Sequence, residues 1–213
     1  MVDAAAVHRP PADEGPCPFC DRAARPHVLY DTPDFYVMAD IGPLVEGHTL
    51  IIARPHLRCL GVMPPELDAV FLLLKDAVGA FLRRTYGTEP LFWEHGVFGQ
   101  SVFHLHMHCI PVPLPQIIPG VGVEVEGAPT DLRAIRTWFT EWGPYWYAEQ
   151  GGTGYLCPPD LDAYFAANAE FDARLDFPSE ERPFWEHRDV LHRRGATLIP
   201  PLLAKWRAAS PFS

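Results

Sequence analysis

Three histidines at alternate positions constrain this chain more than any other feature of its 213 residues. In an extended strand, successive side chains point to opposite faces, so His104, His106 and His108 are predicted to share one face. The residues between and after them are apolar and are predicted to be buried on the other face; they are Leu105, Met107 and Cys109. A row of imidazoles over a hydrophobic base indicates a strand that handles a ligand, because polar rings are unfavourable to bury without a partner.

A Cys-x-x-Cys pair, Cys17 and Cys20, stands near the amino terminus. Two thiolates on a tight turn supply half of a tetrahedral zinc site, and structural zinc is the favoured interpretation. A redox pair is the second alternative, although residues 21–26 leave little room for the helix that follows such a pair in a thioredoxin-like setting. Two plain cysteines are the third. The zinc interpretation requires two further ligands from elsewhere in the chain.

Composition and charge narrow the classes of partner. Hydrophobic residues make up 48% of the chain, and the formal net charge is −10. Coating a nucleic acid requires basic patches, so no polymeric nucleic acid is expected, whereas a small phosphorylated ligand needs only a local set of donors. Residues 1–16 lack the apolar run of a signal peptide, and no stretch reaches the ~18 apolar residues of a membrane helix. The five cysteines do not resemble a secreted disulfide framework, so we expect a cytoplasmic protein without a membrane partner.

The hydrophobic periodicity of the first half predicts strands around one long helix. Short runs of β-favouring residues predict strands at 28–30, 35–39, 47–53, 91–94 and 103–110. Apolar residues spaced three and four apart predict a helix from about Glu66 to Tyr86, and Gly87 is a usual residue to end it. Strands covered by a helix on one side predict an α+β fold with an antiparallel sheet.

These motifs together resemble the histidine triad family, whose signature is His-x-His-x-His followed by two apolar residues. Here the signature is 104–110, preceded by a Gly-Gln-Ser tripeptide, and the upstream segment 40–52 matches the family's spacing. Cys17 and Cys20 resemble the zinc knuckle of its bacterial members. The resemblance implies a HIT-like antiparallel sheet with one long covering helix, and it covers about half of the chain.

The resemblance also implies covalent catalysis by the middle histidine. In the family this residue attacks the α-phosphate of a nucleotide and forms a nucleotidyl-histidine, a role that falls on His106. A neutral imidazole suits the task, since its unperturbed pKa of about 6.5 leaves it mostly unprotonated at pH 7. No catalytic metal is required where enough donors surround the phosphate. Asp40 resembles the residue that binds ribose hydroxyls, and the groups that resemble the phosphate contacts are Gln100, Ser101 and His108, the last being a second catalytic candidate.

Two zinc ligands are added by the same comparison. In zinc-bearing relatives, which include galactose-1-phosphate uridylyltransferases, the two cysteines are joined by a histidine after the central strand and by the first histidine of the motif. Those positions here are His56 and His104. With Cys17 and Cys20 they would close a structural Cys₂His₂ site that has no open position for substrate.

The chain departs from the family pattern on either side of the signature. Many small members carry an Asn and a longer acidic, glycine-rich loop before Gly-Gln, whereas the segment 93–99 is shorter and more hydrophobic, with His95 as the candidate replacement for the Asn contact. That segment is closer to the uridylyltransferase branch. The branch, however, has Gln where this chain keeps His108, which favours a hydrolase-like site.

Beyond Pro113 the resemblance fades, and three parts are predicted: a mobile segment (1–16), a catalytic domain (17–114) and an α/β carboxy-terminal extension (115–213). The extension is predicted to contain a helix, a hairpin and further helices. It either lengthens the sheet or buttresses a dimer, or else it covers the active site and selects the substrate. In the second case the groups that stack a base and hold distal phosphates would be Trp146, Tyr147, Arg188, Arg193 and Arg194.

The leading functional hypothesis is a nucleotide hydrolase that splits a dinucleoside polyphosphate, a nucleoside phosphoramidate or a similar NMP–X compound through His106. The alternatives are a nucleotidyltransferase or phosphorylase that passes the same intermediate to another acceptor, and a nucleotide-binding regulator without catalysis. A metal hydrolase with all three motif histidines as zinc ligands is a weaker alternative. Family members are usually homodimers, so we expect a homodimer.

Overall fold

The computed structural model describes residues 17–21, 27–174 and 188–212. The amino-terminal segment 1–16, which the sequence predicts to be mobile, lies outside the described residues. Among the helices of the described chain, none combines the length and the apolar composition that crossing a bilayer requires.

One antiparallel sheet runs through the whole described chain. Its strands are β1 (Val28–Asp31), β2 (Phe35–Ala39), β3 (Thr49–Ala53), β4 (Leu91–Glu94), β5 (His106–Ile110), β6 (Val123–Val125), β7 (Trp146–Gln150) and β8 (Thr153–Cys157). Their order across the sheet is β1-β2-β3-β5-β4-β7-β8-β6, and every neighbouring pair is antiparallel. The strand predicted from the histidine motif is therefore a central strand, paired on both sides. It is shorter than predicted, since it begins at His106 and leaves His104 in the loop before it.

The helices lie between and after these strands. They are α1 (Asp68–Tyr86), α2 (Ile118–Val121), α3 (Arg133–Trp142), α4 (Leu161–Arg174) and α5 (Arg188–Ala209). As predicted, α1 ends at Gly87, which has a φ of 68° and donates its N–H to the carbonyl of Arg83. A left-handed C-cap of this kind is accessible to glycine at no steric cost.

The two faces of β5 have different surroundings. Met107 and Cys109 are fully buried against an apolar core that α1 covers, together with Phe71, Leu74, Val78 and Phe81 of that helix. His106 and His108 point to the opposite face, because side chains alternate along the strand. An antiparallel sheet with one long covering helix is what the sequence predicts, and the α+β class is confirmed.

The second half of the chain continues the sheet of the first half. Strand β7 pairs directly with β4, so β4 lies between β5 and β7. Trp146 and Tyr147 are both fully buried in this sheet, and the indole N–H of Trp146 donates to the carbonyl of Pro158 at 2.8 Å. The hypothesis that these two aromatic residues stack a nucleotide base is therefore wrong, since both rings belong to the core.

The arginines of the same hypothesis lie on α5. Arg193 pairs with Asp189 on the exposed side of the helix, with 2.8 Å between nitrogen and oxygen. Arg194 donates to the backbone carbonyl of Leu44 at 3.2 Å. The side chain of Arg188 lies outside the described residues. A contact from these arginines to a distal phosphate stays a prediction.

A buried ion pair joins the two halves of the chain. Lys75 of α1 donates to both carboxylate oxygens of Glu149 on β7, at 2.8 and 2.7 Å, and to the carbonyl of Pro129 at 2.7 Å. The hydroxyl of Tyr147 donates to the same carboxylate at 2.9 Å. With its oxygens satisfied in this way, a buried carboxylate is tolerated, whereas losing one partner leaves an uncompensated charge.

The substitution Glu149→Ala is expected to lower the free energy of unfolding by about 3–5 kcal/mol, because Lys75 would remain buried without its counter-ion. Urea denaturation followed by circular dichroism measures the change. The matched control is Glu89→Ala, which breaks an exposed pair with Arg83 and should cost less than about 1 kcal/mol. Similar small losses in both variants would contradict the structural importance assigned to the buried pair.

Candidate active site

Two cysteines and two histidines converge at one end of β5. Their ligand atoms all lie within 4.8 Å of one another, and the residues are the four predicted from the sequence: Cys17, Cys20, His56 and His104. The Cys17–Cys20 segment forms a tight turn, with the Cys20 N–H donating to the Cys17 carbonyl at 3.0 Å. The loop after β3 carries His56, and it is fastened by a hydrogen bond from the Leu105 N–H to the Leu57 carbonyl at 2.6 Å.

The donor set fits a tetrahedral zinc ion. Zn–S bonds of about 2.3 Å and Zn–N bonds of about 2.0 Å place neighbouring ligand atoms roughly 3.3–3.8 Å apart. The Sγ atoms of Cys17 and Cys20 each lie 3.5 Å from Nδ1 of His104. Nδ1 of His56 lies 3.2 Å from the sulfur of Cys20 and 3.3 Å from Nδ1 of His104. Nε2 of His104 donates to the carbonyl of Ala53 at 2.6 Å, which leaves Nδ1 unprotonated for a metal.

Phe19, inside the Cys-x-x-Cys turn, connects this cluster to the next histidine. Its ring centroid lies 5.8 Å from the ring of His104 and 5.2 Å from the ring of His106, edge to face in both cases. Its backbone carbonyl accepts a hydrogen bond from the Tyr36 hydroxyl at 3.0 Å. The Cys17–Cys20 turn therefore also packs against the candidate nucleophile.

The tautomer of His106 is fixed by the backbone. Nδ1 lies 2.6 Å from the carbonyl oxygen of His104, which can only accept, so Nδ1 carries the proton and Nε2 carries the lone pair. Burial lowers the pKa of His106 below its ordinary value, which favours the neutral ring. A neutral imidazole with a free Nε2 can act as a nucleophile.

His48, to which the sequence analysis gave no role, sets the tautomer of His108. The N–H of Leu44 donates to Nδ1 of His48 at 3.2 Å, so a neutral His48 carries its proton on Nε2. That proton points to Nδ1 of His108, 2.9 Å away, and the proton of a neutral His108 is therefore on its Nε2. Nε2 of His108 is buried and has no partner within the described chain, so the site presents an unused N–H donor.

Strand alternation could have identified His48. Leu50 lies opposite His108 in the pairing of β3 with β5, and a residue two positions earlier on an extended chain faces the same way. Asp40 lies nearby, with one carboxylate oxygen 3.4 Å from Nε2 of His48 and 3.6 Å from Nδ1 of His108. Its other oxygen accepts the N–H of Gly42 at 2.7 Å.

Gln100 and Ser101 occupy the loop before β5. The amide nitrogen of Gln100 donates to the carbonyl of Arg58 at 2.9 Å, while its oxygen is buried without a partner among the described residues. Ser101 is exposed. The structure thus places an unsatisfied acceptor at Gln100, which a bound ligand or water can satisfy.

His95, the candidate replacement for the family's Asn, is a fourth imidazole of the site. One nitrogen from each of His95, His106 and His108 lies within 4.8 Å of the other two. Within the described chain, the three histidines that lie together are therefore His95, His106 and His108. His104 lies with the two cysteines instead, so the three histidines of the motif do not form one metal site. Burial, with a smaller contribution from His106, lowers the pKa of His95 to about 3, so the ring is neutral at pH 7.

Glu94 is the last residue of β4, directly before His95, and its side chain is buried on the face of the sheet opposite the histidines. Both of its carboxylate oxygens are inaccessible, and no group of the described chain makes a well-formed hydrogen bond to either. The Tyr145 hydroxyl and the backbone N–H groups of Leu60 and Gly96 still lie close enough to favour the ionised form. Burial raises the pKa of Glu94 from 4.5 to about 7, because the ionised form has lost its hydration. No motif singles out this carboxylate, which ends an otherwise apolar strand.

The variant Glu94→Gln should remove one component of the pH dependence of stability. Between pH 4.5 and about 7, the unfolded chain has released the Glu94 proton that the folded chain still holds, so the free energy of unfolding falls as pH rises. The free energy of unfolding of the variant minus that of wild type should therefore be about 2–3 kcal/mol larger at pH 8 than at pH 5. Urea denaturation at the two pH values measures this gain, and an unchanged difference between the two proteins would contradict it.

Comparisons with known proteins relate the first half of the chain to one family. A family model described as the HIT domain matches residues 22–113. A HIT-like protein from Borreliella burgdorferi is 30% identical over 103 residues, which are 45% of this chain and 74% of that protein. A HIT-like protein from Mycoplasma genitalium is 31% identical over 102 residues, 45% of this chain and 72% of its own.

Two further relatives carry informative descriptions. Adenylylsulfatase HINT3 from Arabidopsis thaliana is 31% identical over 101 residues, 45% of this chain and 51% of that protein. The crystal structure of a zinc-bound histidine triad family protein from Mycobacterium smegmatis shares 26% identity, with a TM-score of 0.40, over 47% of this chain and 77% of that one.

Proposed function

The chain belongs to the histidine triad family, and from this premise we propose that it is a nucleotide hydrolase that splits NMP–X compounds through a nucleotidyl-His106 intermediate. One observation carries the proposal. On the same face of β5, Nε2 of His106 presents a lone pair and Nε2 of His108 presents an N–H. A nucleophile beside a donor is the pair of groups that displacement at phosphorus requires.

In the first step, Nε2 of His106 attacks the α-phosphorus and the bond from phosphorus to X breaks. His108 donates its Nε2 proton in a hydrogen bond to a phosphoryl oxygen or to the leaving atom, in a buried site where such bonds are strong. Asp40, through the carboxylate oxygen that does not bind Gly42, is the group proposed for the ribose hydroxyls. Gln100 and Ser101 complete the proposed substrate contacts.

In the second step, water takes the place of X, which makes the protein a hydrolase. The name of the plant relative supports this choice, since adenylyl sulfate is itself an NMP–X compound. A nucleotidyltransferase or phosphorylase would pass the same intermediate to another acceptor, and a regulatory protein would bind nucleotide without forming it. Pairing of two chains stays a prediction from the resemblance, and a cytoplasmic location stays a prediction from the composition of the chain.

The test is the intact mass of the protein after brief mixing, without acid, with adenosine 5′-phosphoramidate, adenylyl sulfate or a diadenosine polyphosphate. Wild type should gain the mass of one AMP, with AMP as the released product. His106→Asn keeps a side-chain N–H for the carbonyl of His104 but lacks the second nitrogen, so it should fold and form no adduct. The proposal would be overturned if wild type showed no adduct and no turnover with any of these compounds.

We also propose that Cys17, Cys20, His56 and His104 hold a structural zinc ion. Four protein ligands leave no open coordination position, so the metal would contribute folding energy rather than a reactive water. It would fasten the amino-terminal turn and the loop after β3 to the start of the catalytic strand. The cluster shares no residue with the group formed by His95, His106 and His108, which supports a structural role.

The purified protein is therefore expected to contain one zinc ion per chain. Cys20→Ser removes one thiolate ligand and should lower both the zinc content and the midpoint temperature of unfolding, because metal binding is coupled to folding. Elemental analysis and differential scanning calorimetry measure the two quantities. The control Cys157→Ala changes a buried cysteine outside the cluster and should leave zinc stoichiometry intact. Equal zinc content in wild type and Cys20→Ser would refute the assignment.

A further inference from the structure

We propose that His95 is a further catalytic residue, the general base for the water that resolves the nucleotidyl-His106 intermediate. This inference rests on the proposed function and deepens it, because it concerns which acceptor the intermediate meets. The family resemblance assigns no such role to this position, where many members carry an Asn.

The orientation of His95 is fixed by its own turn. Nδ1 lies 3.2 Å from the carbonyl of Phe98, an acceptor, so Nδ1 carries the proton and Nε2 keeps the lone pair. One nitrogen of His95 lies within 4.8 Å of one nitrogen each of His106 and His108. A water hydrogen-bonded to that nitrogen at about 2.8 Å can also lie on the far side of a phosphorus bonded to Nε2 of His106, in line with the bond that breaks.

The turn that presents His95 is strained and firmly held. Val97 has a φ of 77°, which is unfavourable for a β-branched residue. The turn is closed by a hydrogen bond from the Phe98 N–H to the His95 carbonyl at 2.8 Å, and the Tyr145 N–H donates to the Gly96 carbonyl at 3.2 Å. Strain of this kind persists where surrounding structure enforces it, and it clusters at functional sites.

In the intermediate, the other imidazoles of the site have no lone pair to offer. Nε2 of His106 is bonded to phosphorus, and both nitrogens of His108 are engaged, Nδ1 as acceptor from His48 and Nε2 as donor. Nδ1 of His48 accepts from Leu44. His95 is neutral, because burial holds its pKa at about 3, and no hydrogen bond within the described chain occupies its Nε2. The anionic phosphate brought beside it raises that pKa toward the range that a general base requires.

In the proposed step, water displaces His106 from phosphorus. The water oxygen forms a bond to phosphorus while the bond from phosphorus to Nε2 of His106 breaks, and the electron pair returns to that nitrogen. One proton of the water passes to Nε2 of His95 and from there to solvent, and the other stays on the phosphate oxygen. The Phe98 carbonyl stabilises the imidazolium that forms, through Nδ1–H.

The test compares wild type with His95→Phe, which keeps a ring of similar size against Trp93 and Tyr164 but removes both nitrogens. Each protein is mixed rapidly with adenosine 5′-phosphoramidate, and the adduct is followed by intact mass. We expect adduct formation within about twofold of wild type and adduct decay slowed about 100-fold, the typical contribution of a general base. Hydroxylamine, which needs no proton removed before it attacks, should restore rapid decay.

Three comparisons decide the outcome. His192→Phe, the same change at an exposed histidine of α5, should decay like wild type. Equal adduct lifetimes in wild type and His95→Phe, or formation and decay slowed equally, would overturn the role of His95 while leaving the His106 mechanism intact. No adduct and no turnover in wild type would overturn the proposed function, and this inference with it.

Discussion

The arrangement of the site depends on how His104 is hydrogen-bonded. Its Nε2–H donates to the carbonyl of Ala53, which turns Nδ1 toward the two cysteines, and its own backbone carbonyl accepts Nδ1–H of His106. One residue therefore sets the protonation of a candidate metal ligand, its own ring, and of the candidate nucleophile. Because a carbonyl can only accept, both tautomers follow from backbone geometry and require no charged neighbour.

The alternation of side chains along the strands decides which residues face the core and which face the candidate site. Side chains of β5 that face α1 are apolar and buried, and those on the other face are the imidazoles of His106 and His108, followed by the apolar Ile110. The same rule places His48, the residue before β3, next to His108 of β5, so the two adjoining segments supply a hydrogen-bonded pair. A slip of one residue in this register would exchange the two faces and destroy both the core and the site.

The sequence was sufficient wherever the signal was local. Period-two and period-three-to-four patterns predicted the strands of the first half and α1, and the resemblance identified four candidate ligands that the structure brings together. It was insufficient where tertiary contacts decide. Trp146 and Tyr147 are core residues because β7 adds to β4, a pairing between distant segments that no local pattern specifies. The burial of Glu94 depends on the same pairing.

Because β7 pairs with β4, the carboxy-terminal half of the chain also contacts the turn that carries His95. A Cβ at Gly96 would lie 2.5 Å from the carbonyl of Tyr145, and a Cβ at Gly99 would lie 3.2 Å from the ring of Tyr164, so the extension packs closely on both ends of the turn that carries His95. The extension thus does more than lengthen the sheet. It enforces a backbone conformation that Val97 would not adopt freely, and it thereby holds a fourth imidazole beside the nucleophile.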